Sequence, residues 1–179
     1  MRKVTVICGS SNNHGFSHHI SQRICSICAH NKLECTVFYP SEMSIAHCSG
    51  CNNCRTGHCI HDDGMEGIVE SVMGSDSVYL VMPIHFSGPS SLMKTVMDRF
   101  QPCWFNKSGC GGSLHAIMCA GGNNPCFSYT EGIIRAFSIT AGLKVGEPLY
   151  IKDTDRMKPE QTDDAVDNYI LSMIRTLVE

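Results

Sequence analysis

A parallel β-sheet covered by helices on both faces is the fold class that this sequence predicts. Two observations carry it: five β-branched or apolar runs alternate with five helical stretches, and Gly or Pro marks the loops after the first, third and fourth runs. No repeat, low-complexity segment or linker interrupts the pattern, so residues 1–179 are expected to form a single domain.

Val4–Cys8 reads as a first strand, ended by Gly9 and a polar loop. Ser17 to His30 is a helix with Ile20, Ile24, Ile27 and Cys28 on one face. Glu34–Tyr39 is a second strand stopped by Pro40, and residues 40–63 form a cysteine-rich loop. Gly64 to Met73 is helical, and Ser77–Met82 is a buried strand closed by Pro83. Ser90 to Phe100 is a helix that packs Leu92, Val96 and Phe100 inward. Leu114–Ala120 is a fourth strand ending at Gly121-Gly122, and Phe127 to Ala141 is helical. Lys144 to Ile151 is a fifth strand, and Glu160 to Val178 is a closing helix. Ligands of such sheets bind at the carboxyl ends of the strands, where the three marked loops converge.

Composition excludes several function classes. A formal net charge of −3 gives no electrostatic case for nucleic acid or anionic membranes. No apolar run approaches the roughly 20 residues that span a bilayer, and the short run after Arg2-Lys3 does not make a signal peptide. A cytoplasmic location is expected. There the 12 cysteines are reduced thiols rather than disulfide staples. Cys8 and Cys119 sit in apolar strands and read as small core residues. Cys25 and Cys28 form a C-x2-C on the first helix, with no partner pair nearby in the sequence.

Cys48, Cys51, Cys54 and Cys59 make a C-x2-C-x2-C-x4-C run just before Asp62-Asp63. Compact runs of this kind are the ligand pattern of iron–sulfur clusters. Zinc sites more often separate two C-x2-C pairs by a dozen or so residues. A cluster, zinc, and free thiols or disulfides all remain open on spacing alone. Asp62 and Asp63 read as a solvated turn and a helix N-cap.

The loop Gly9-Ser10-Ser11-Asn12-Asn13-His14-Gly15-Phe16-Ser17 joins the first strand to the first helix. Its glycines, hydroxyls and helix N-terminus suit an anion without any Lys or Arg. It carries neither the G-x-G-x-x-G nor the Walker signature. A plain polar turn with Ser17 as N-cap is the alternative.

Gly9-Ser10-x4-Gly15-x-Ser17, Pro83-Ile84-His85-Phe86 and Leu92-Met93-Lys94-x3-Asp98-Arg99 together resemble the NAD(P)H-dependent FMN reductase family of the flavodoxin-like superfamily. With the cysteine run added, the resemblance is closest to its iron–sulfur flavoproteins. It implies a flavodoxin-like three-layer sandwich with a five-stranded parallel sheet in the order 2-1-3-4-5, the cysteine-rich loop inserted after the second strand. It also implies FMN, a [4Fe-4S] cluster on Cys48, Cys51, Cys54 and Cys59, and a homodimer or homotetramer. Ser10, Asn12, Phe16 and Ser17 would surround the FMN phosphate. Pro83, Ile84, His85 and Phe86 would lie along the ring and ribityl chain, and Gly121 and Gly122 would approach the far edge of the ring.

Lys94, Asp98 and Arg99 are expected to hold the third helix in place rather than touch flavin. The family commonly has Arg at Asn12, Asn at Phe16 and Tyr at His85. His14, His18 and His19 are either partial replacements for the missing charge or surface residues. His85 is either a donor to the flavin or a solvent-facing loop residue.

The function expected is electron transfer from NAD(P)H or a ferredoxin-like donor to a flavin, quinone, oxygen species or protein, with no side chain acting as nucleophile. The alternatives are a cluster-free NAD(P)H-dependent FMN or quinone reductase, a flavodoxin-like carrier without turnover, and a thiol-based redox sensor.

Overall fold

The computed structural model describes residues 1–106, 109 and 111–178, which leaves Cys110 outside the described residues. Strand β1 (Lys3–Cys8) leads through the polar loop to α1 (Phe16–His30) and back to β2 (Glu34–Phe38). After the cysteine-rich segment come α2 (Met65–Met73), β3 (Ser77–His85), the two-residue β4 (Gly88–Pro89), α3 (Ser91–Asp98) and α4 (Gln101–Asn106). Then follow β5 (Ser113–Cys119), α5 (Ser128–Ala141), β6 (Lys144–Val145), β7 (Leu149–Ile151) and α6 (Asp163–Val178).

The sheet runs β2-β1-β3-β5-β6, parallel throughout, with β7 also parallel to β5 and β4 folded back on β3. The chain works outward from β1 to β2, then crosses β1 to reach β3, so a topological switch point lies between β1 and β3. The arrangement is flavodoxin-like.

Alternation along the strands sorts side chains into two cores. Val78, Leu80 and Met82 of β3 pack with Ile68 and Val72 of α2, Met93 and Val96 of α3, and Phe137 of α5. Tyr79 and Val81 point to the opposite face, against Ile20 and Ile24 of α1 and Val166 and Ile170 of α6. Helices therefore cover both faces, as the apolar runs predict. Each fully buried Ile or Leu contributes about 2 kcal/mol of transfer free energy.

Three boundaries differ from expectation. The fifth strand is broken into β6 and β7, both beside β5. Gly146 lies against the His115 ring, where a Cβ would stand 2.8 Å from Nδ1, and Pro148 has no N–H for the ladder. Strand β3 runs past Pro83 to His85 and turns through Phe86 and Ser87 into β4. Both turn residues have positive φ, 50° and 63°, as a two-residue hairpin turn requires. The third helix stops at Asp98, and α4 follows as a separate turn of helix. No helix among the described residues is long and apolar enough to cross a membrane.

Candidate functional site

At the carboxyl end of β1 the backbone enters a crowded position. Gly9 N donates to Val81 O at 2.8 Å, and a Cβ on Gly9 would stand 2.8 Å from Met93 Cβ. Glycine alone lets β1 pass beneath α3. Ser90 locks the crossing: its hydroxyl donates to Gly9 O at 2.5 Å and accepts from Met93 N at 3.2 Å, capping α3.

Beyond Gly9 the loop folds on its own side chains. Asn12 N donates to Ser10 Oγ at 3.1 Å, and His14 N donates to Asn12 Oδ1 at 3.0 Å. Gly15 N closes the turn on Asn12 O at 3.1 Å. Helix α1 then begins with Gly15 as N-cap and no side-chain cap. The positive end of a 15-residue helix is left facing the loop interior.

A cavity of about 700 Å³ opens there, at the carboxyl ends of β1, β3 and β5. Of the sequence-predicted residues, Ser10, Asn12, Phe16, Ser17, Pro83, Ile84, His85 and Gly121 line it. Gly122 lines an adjoining cavity of about 330 Å³ that shares Ile84 and Gly121. Phe86 lines neither; on the hairpin turn its ring is fully exposed. Ser17 is buried under the loop and bonds the Cys119 thiol. Cys8 and Cys119 are buried in their strands, as expected, with Cys119 at the cavity floor, and burial raises both thiols, that of Cys119 to about 12.

The histidines divide. His14 lines the cavity, whereas His18 lies against Tyr39 with ring centroids 4.8 Å apart, and His19 bonds Asp163 at 2.7 Å. His85 is exposed on the cavity wall. Lys94 reaches Asp98 at 2.6 Å along the exposed side of α3 and does not line the cavity.

The sequence reading missed one wall altogether. Thr154, Asp155 and Pro159, from the segment after β7, complete the cavity. Thr154 N donates to Ala120 O at 3.1 Å and Asp155 N to Gly121 O at 3.3 Å. A Cβ on Gly121 would fall 2.5 Å from Asp155 Oδ2. The only sequence signal for this wall is the glycine pair it folds over.

Arg99 and Asp63 correct the expectation of a solvated Asp63. The Arg99 side chain, 1% exposed, holds Asp63 in a two-pronged pair at 2.6 and 2.9 Å and donates to Ala46 O at 2.7 Å. Asp63 in turn accepts from Ala46 N at 2.9 Å. One guanidinium thus pins both ends of the cysteine segment to the end of α3. The hydrogen bonds from Arg99, helped by Ala46 N and the guanidinium charge, hold the Asp63 carboxyl down at about 2. Asp63 also accepts a long bond from Met65 N, a remnant of the predicted capping role.

Between these pins Asn53–Thr56 make one turn of 3-10 helix, Thr56 Oγ1 donates to Asn53 O at 2.7 Å, and Arg55 lies over the Phe105 ring of α4. Cys48 and Cys51 are exposed, and Cys54 and Cys59 are half-buried. Among the described residues no three His, Cys, Asp or Glu side chains converge on a metal-binding geometry. The four thiols therefore do not form a ready-made cluster cage, and the donor set matches a cluster only in its chemistry.

The loop, the glycine approaches and the sheet order together define a site that can be compared with known proteins. A model of the NADPH-dependent FMN reductase family matches residues 2–155. The chain belongs to that family. An iron-sulfur flavoprotein of Archaeoglobus fulgidus is 26% identical over 167 residues, spanning 89% of this chain and 76% of the relative. A Klebsiella pneumoniae protein, described provisionally as a quinone reductase, superposes with a TM-score of 0.76 at 15% identity, covering 99% of this chain and 85% of its own. An FMN-dependent NADH-azoreductase from Bacillus anthracis, in complex with FMN, gives 0.70 at 12% identity over 99% of this chain and 100% of its own. At such identities the two structures establish the fold. The loop from Gly9 to Ser17 carries no Lys or Arg, and His14 is its one imidazole.

Proposed function

We propose that this protein is an FMN-dependent oxidoreductase that takes reducing equivalents from NAD(P)H and passes them to a small-molecule or protein acceptor. Flavin, quinone and oxygen species are the acceptor classes. The observation that carries the reading is the cavity over the uncapped N-terminus of α1, at the carboxyl ends of β1, β3 and β5. Family membership supports it.

In this reading Ser10, Asn12, Ser17 and the backbone around Phe16 hold the FMN phosphate. Pro83, Ile84 and His85 lie along the ring and ribityl chain, with Phe86 at the outer rim. Gly122, with nothing within 4 Å of its Cβ position, admits the far edge of the ring, while Gly121 makes room for Asp155. Bound FMN supplies both two-electron and one-electron chemistry. The chain's own residues bind and orient it, and no nucleophile is required. The test is anaerobic: NADPH or NADH added to FMN-loaded protein should bleach the flavin absorption. Bleaching by dithionite but by neither nicotinamide would overturn the proposed donor and leave a carrier.

A second reading adds an iron–sulfur cluster on Cys48, Cys51, Cys54 and Cys59. It is favoured by the compact spacing and by a relative named as an iron-sulfur flavoprotein. Because metal sites of this kind are commonly gathered by the metal itself, the four separate thiols are compatible with it. Iron and acid-labile sulfide in anaerobically purified protein decide the matter. Their absence removes this reading and leaves the first intact.

A further inference from the structure

The segment after β7 brings a carboxylate to the wall of the flavin cavity. Asp153 N donates to Gly122 O at 2.9 Å, Thr154 N to Ala120 O at 3.1 Å and Asp155 N to Gly121 O at 3.3 Å. Three consecutive amides thus fasten one turn of 3-10 helix, Thr154–Arg156, over the end of β5. Gly121 leaves the space beneath it: a Cβ there would meet both Asp155 carboxylate oxygens, at 2.5 and 2.6 Å. Asp155 lines the cavity, and among the described residues its carboxylate has no hydrogen bond or ion pair. Arg156, the next residue, pairs with Asp153 at 3.8 Å and does not line the cavity. No Lys or Arg lines it, and the other ionisable groups on its wall are His14, His85 and the Cys119 thiol. The negative charge of Asp155 therefore stands in the cavity without a fixed cation beside it.

On the reading that this cavity holds FMN, we propose that Asp155 sets the reduction potential of the bound cofactor, holding it down by its charge. A hydride brings two electrons and one proton. Its transfer from a nicotinamide leaves that donor one charge more positive and the cavity one charge more negative. The phosphate charge is the same before and after, so its effect on binding cancels. The carboxylate meets the added negative charge only after reduction, and it disfavours the reduced state against the oxidised one. In a cavity of about 700 Å³ every position lies near the wall, and one unit charge at such range changes an equilibrium about tenfold. A lowered potential suits a protein that passes electrons on, because its reduced cofactor is then the stronger reductant.

The test is a redox titration of FMN-loaded protein against a reference dye at mildly alkaline pH, after a fluorescence titration has shown that each variant binds FMN. Asp155→Asn keeps the size of the side chain and removes its charge. It should raise the ratio of affinities for reduced over oxidised FMN about tenfold, about 30 mV higher in potential for a two-electron couple. Asp155→Glu, which keeps the charge, should stay with the unsubstituted protein. Because the side chain is exposed, added salt should narrow the gap between the Asn variant and the unsubstituted protein. An Asn variant that binds FMN at an unchanged potential would overturn the inference. So would a Glu variant that shifts as far as the Asn one. If Asp155→Asn does not fold, Asp155→Ser takes its place with the same expectation. Unsubstituted protein that binds no FMN would overturn the flavin reading and this inference with it, an outcome that the fluorescence titration records separately.

Discussion

The loop between β1 and α1 and the cysteine run between β2 and α2 are both polar segments at the sheet, yet they are held in opposite ways. The first is fixed from within. Gly9 is wedged under Met93, Ser90 bonds its carbonyl, and Asn12 and Ser10 close the turn. The second is gripped at its ends, where Arg99 holds Ala46 and Asp63, and at one middle turn, where Asn53 donates to His58 O and Arg55 lies over the Phe105 ring, while Cys48 and Cys51 stay exposed. A segment organised internally presents a finished surface, and a helix N-terminus can then attract an anion with no basic residue. A segment held at a few points leaves its exposed thiols to be gathered by whatever binds them.

The largest expected effect comes from cutting the tether. Arg99→Ala removes one partner of a buried ion pair and leaves Asp63 uncompensated, a loss of about 3–5 kcal/mol. Urea unfolding should show it, and limited proteolysis should cut first within residues 47–62. An unchanged midpoint would mean that the segment's ends are not held by this pair.

Acid offers a second way to separate regions. The Asp63 carboxyl lies at about 2 in the folded chain against an ordinary 3.8. Its contribution is therefore present above pH 4 and is lost as pH falls toward 2, about 2 kcal/mol by linkage. His115, buried at the other end of the sheet, behaves differently. Burial pushes it down to about 4 from 6.5. The unfolded chain binds its proton first, so stability falls by about 3 kcal/mol as pH drops from 6.5 to 4. His115→Asn should flatten the stability profile in that upper window and leave the lower one unchanged. A single unbroken decline in both proteins would contradict the assignment.

The internally organised loop is probed by Gly9→Ala. The new Cβ meets Met93 Cβ, the rigid root of a side chain, at 2.8 Å. Relief by backbone shift should cost about 1–3 kcal/mol and weaken FMN binding, read by fluorescence quenching. The smallest change is a gain: Asn12→Arg adds a positive charge to a loop that has no Lys or Arg. It should tighten FMN by about tenfold, or 1.4 kcal/mol, with a dependence on salt that the unsubstituted protein lacks.

What was legible in the sequence was local. The β1–α1 loop could be read because strand, glycine turn and helix start lie within fifteen residues. Helices on both faces of a parallel sheet followed from the apolar runs and helical spacing, whereas the strand order came only with the family resemblance. The Arg99–Asp63 pair spans 36 residues, and no spacing rule links them, so Asp63 read as a solvated turn. Asp155 enters the cavity only because its segment bonds back to Ala120 and Gly121. Proline misled in both directions: Pro83 did not end β3, whereas Pro148 lies in the break between β6 and β7.

The central claim is that the β1–α1 loop holds a phosphate through backbone and helix dipole, and comparing FMN with riboflavin tests it most directly. Fluorescence titration of the apoprotein should show FMN binding at least about a hundredfold tighter than riboflavin, a difference of 2.7 kcal/mol. Equal affinity for the two would mean that the loop takes no part in binding and would contradict the account.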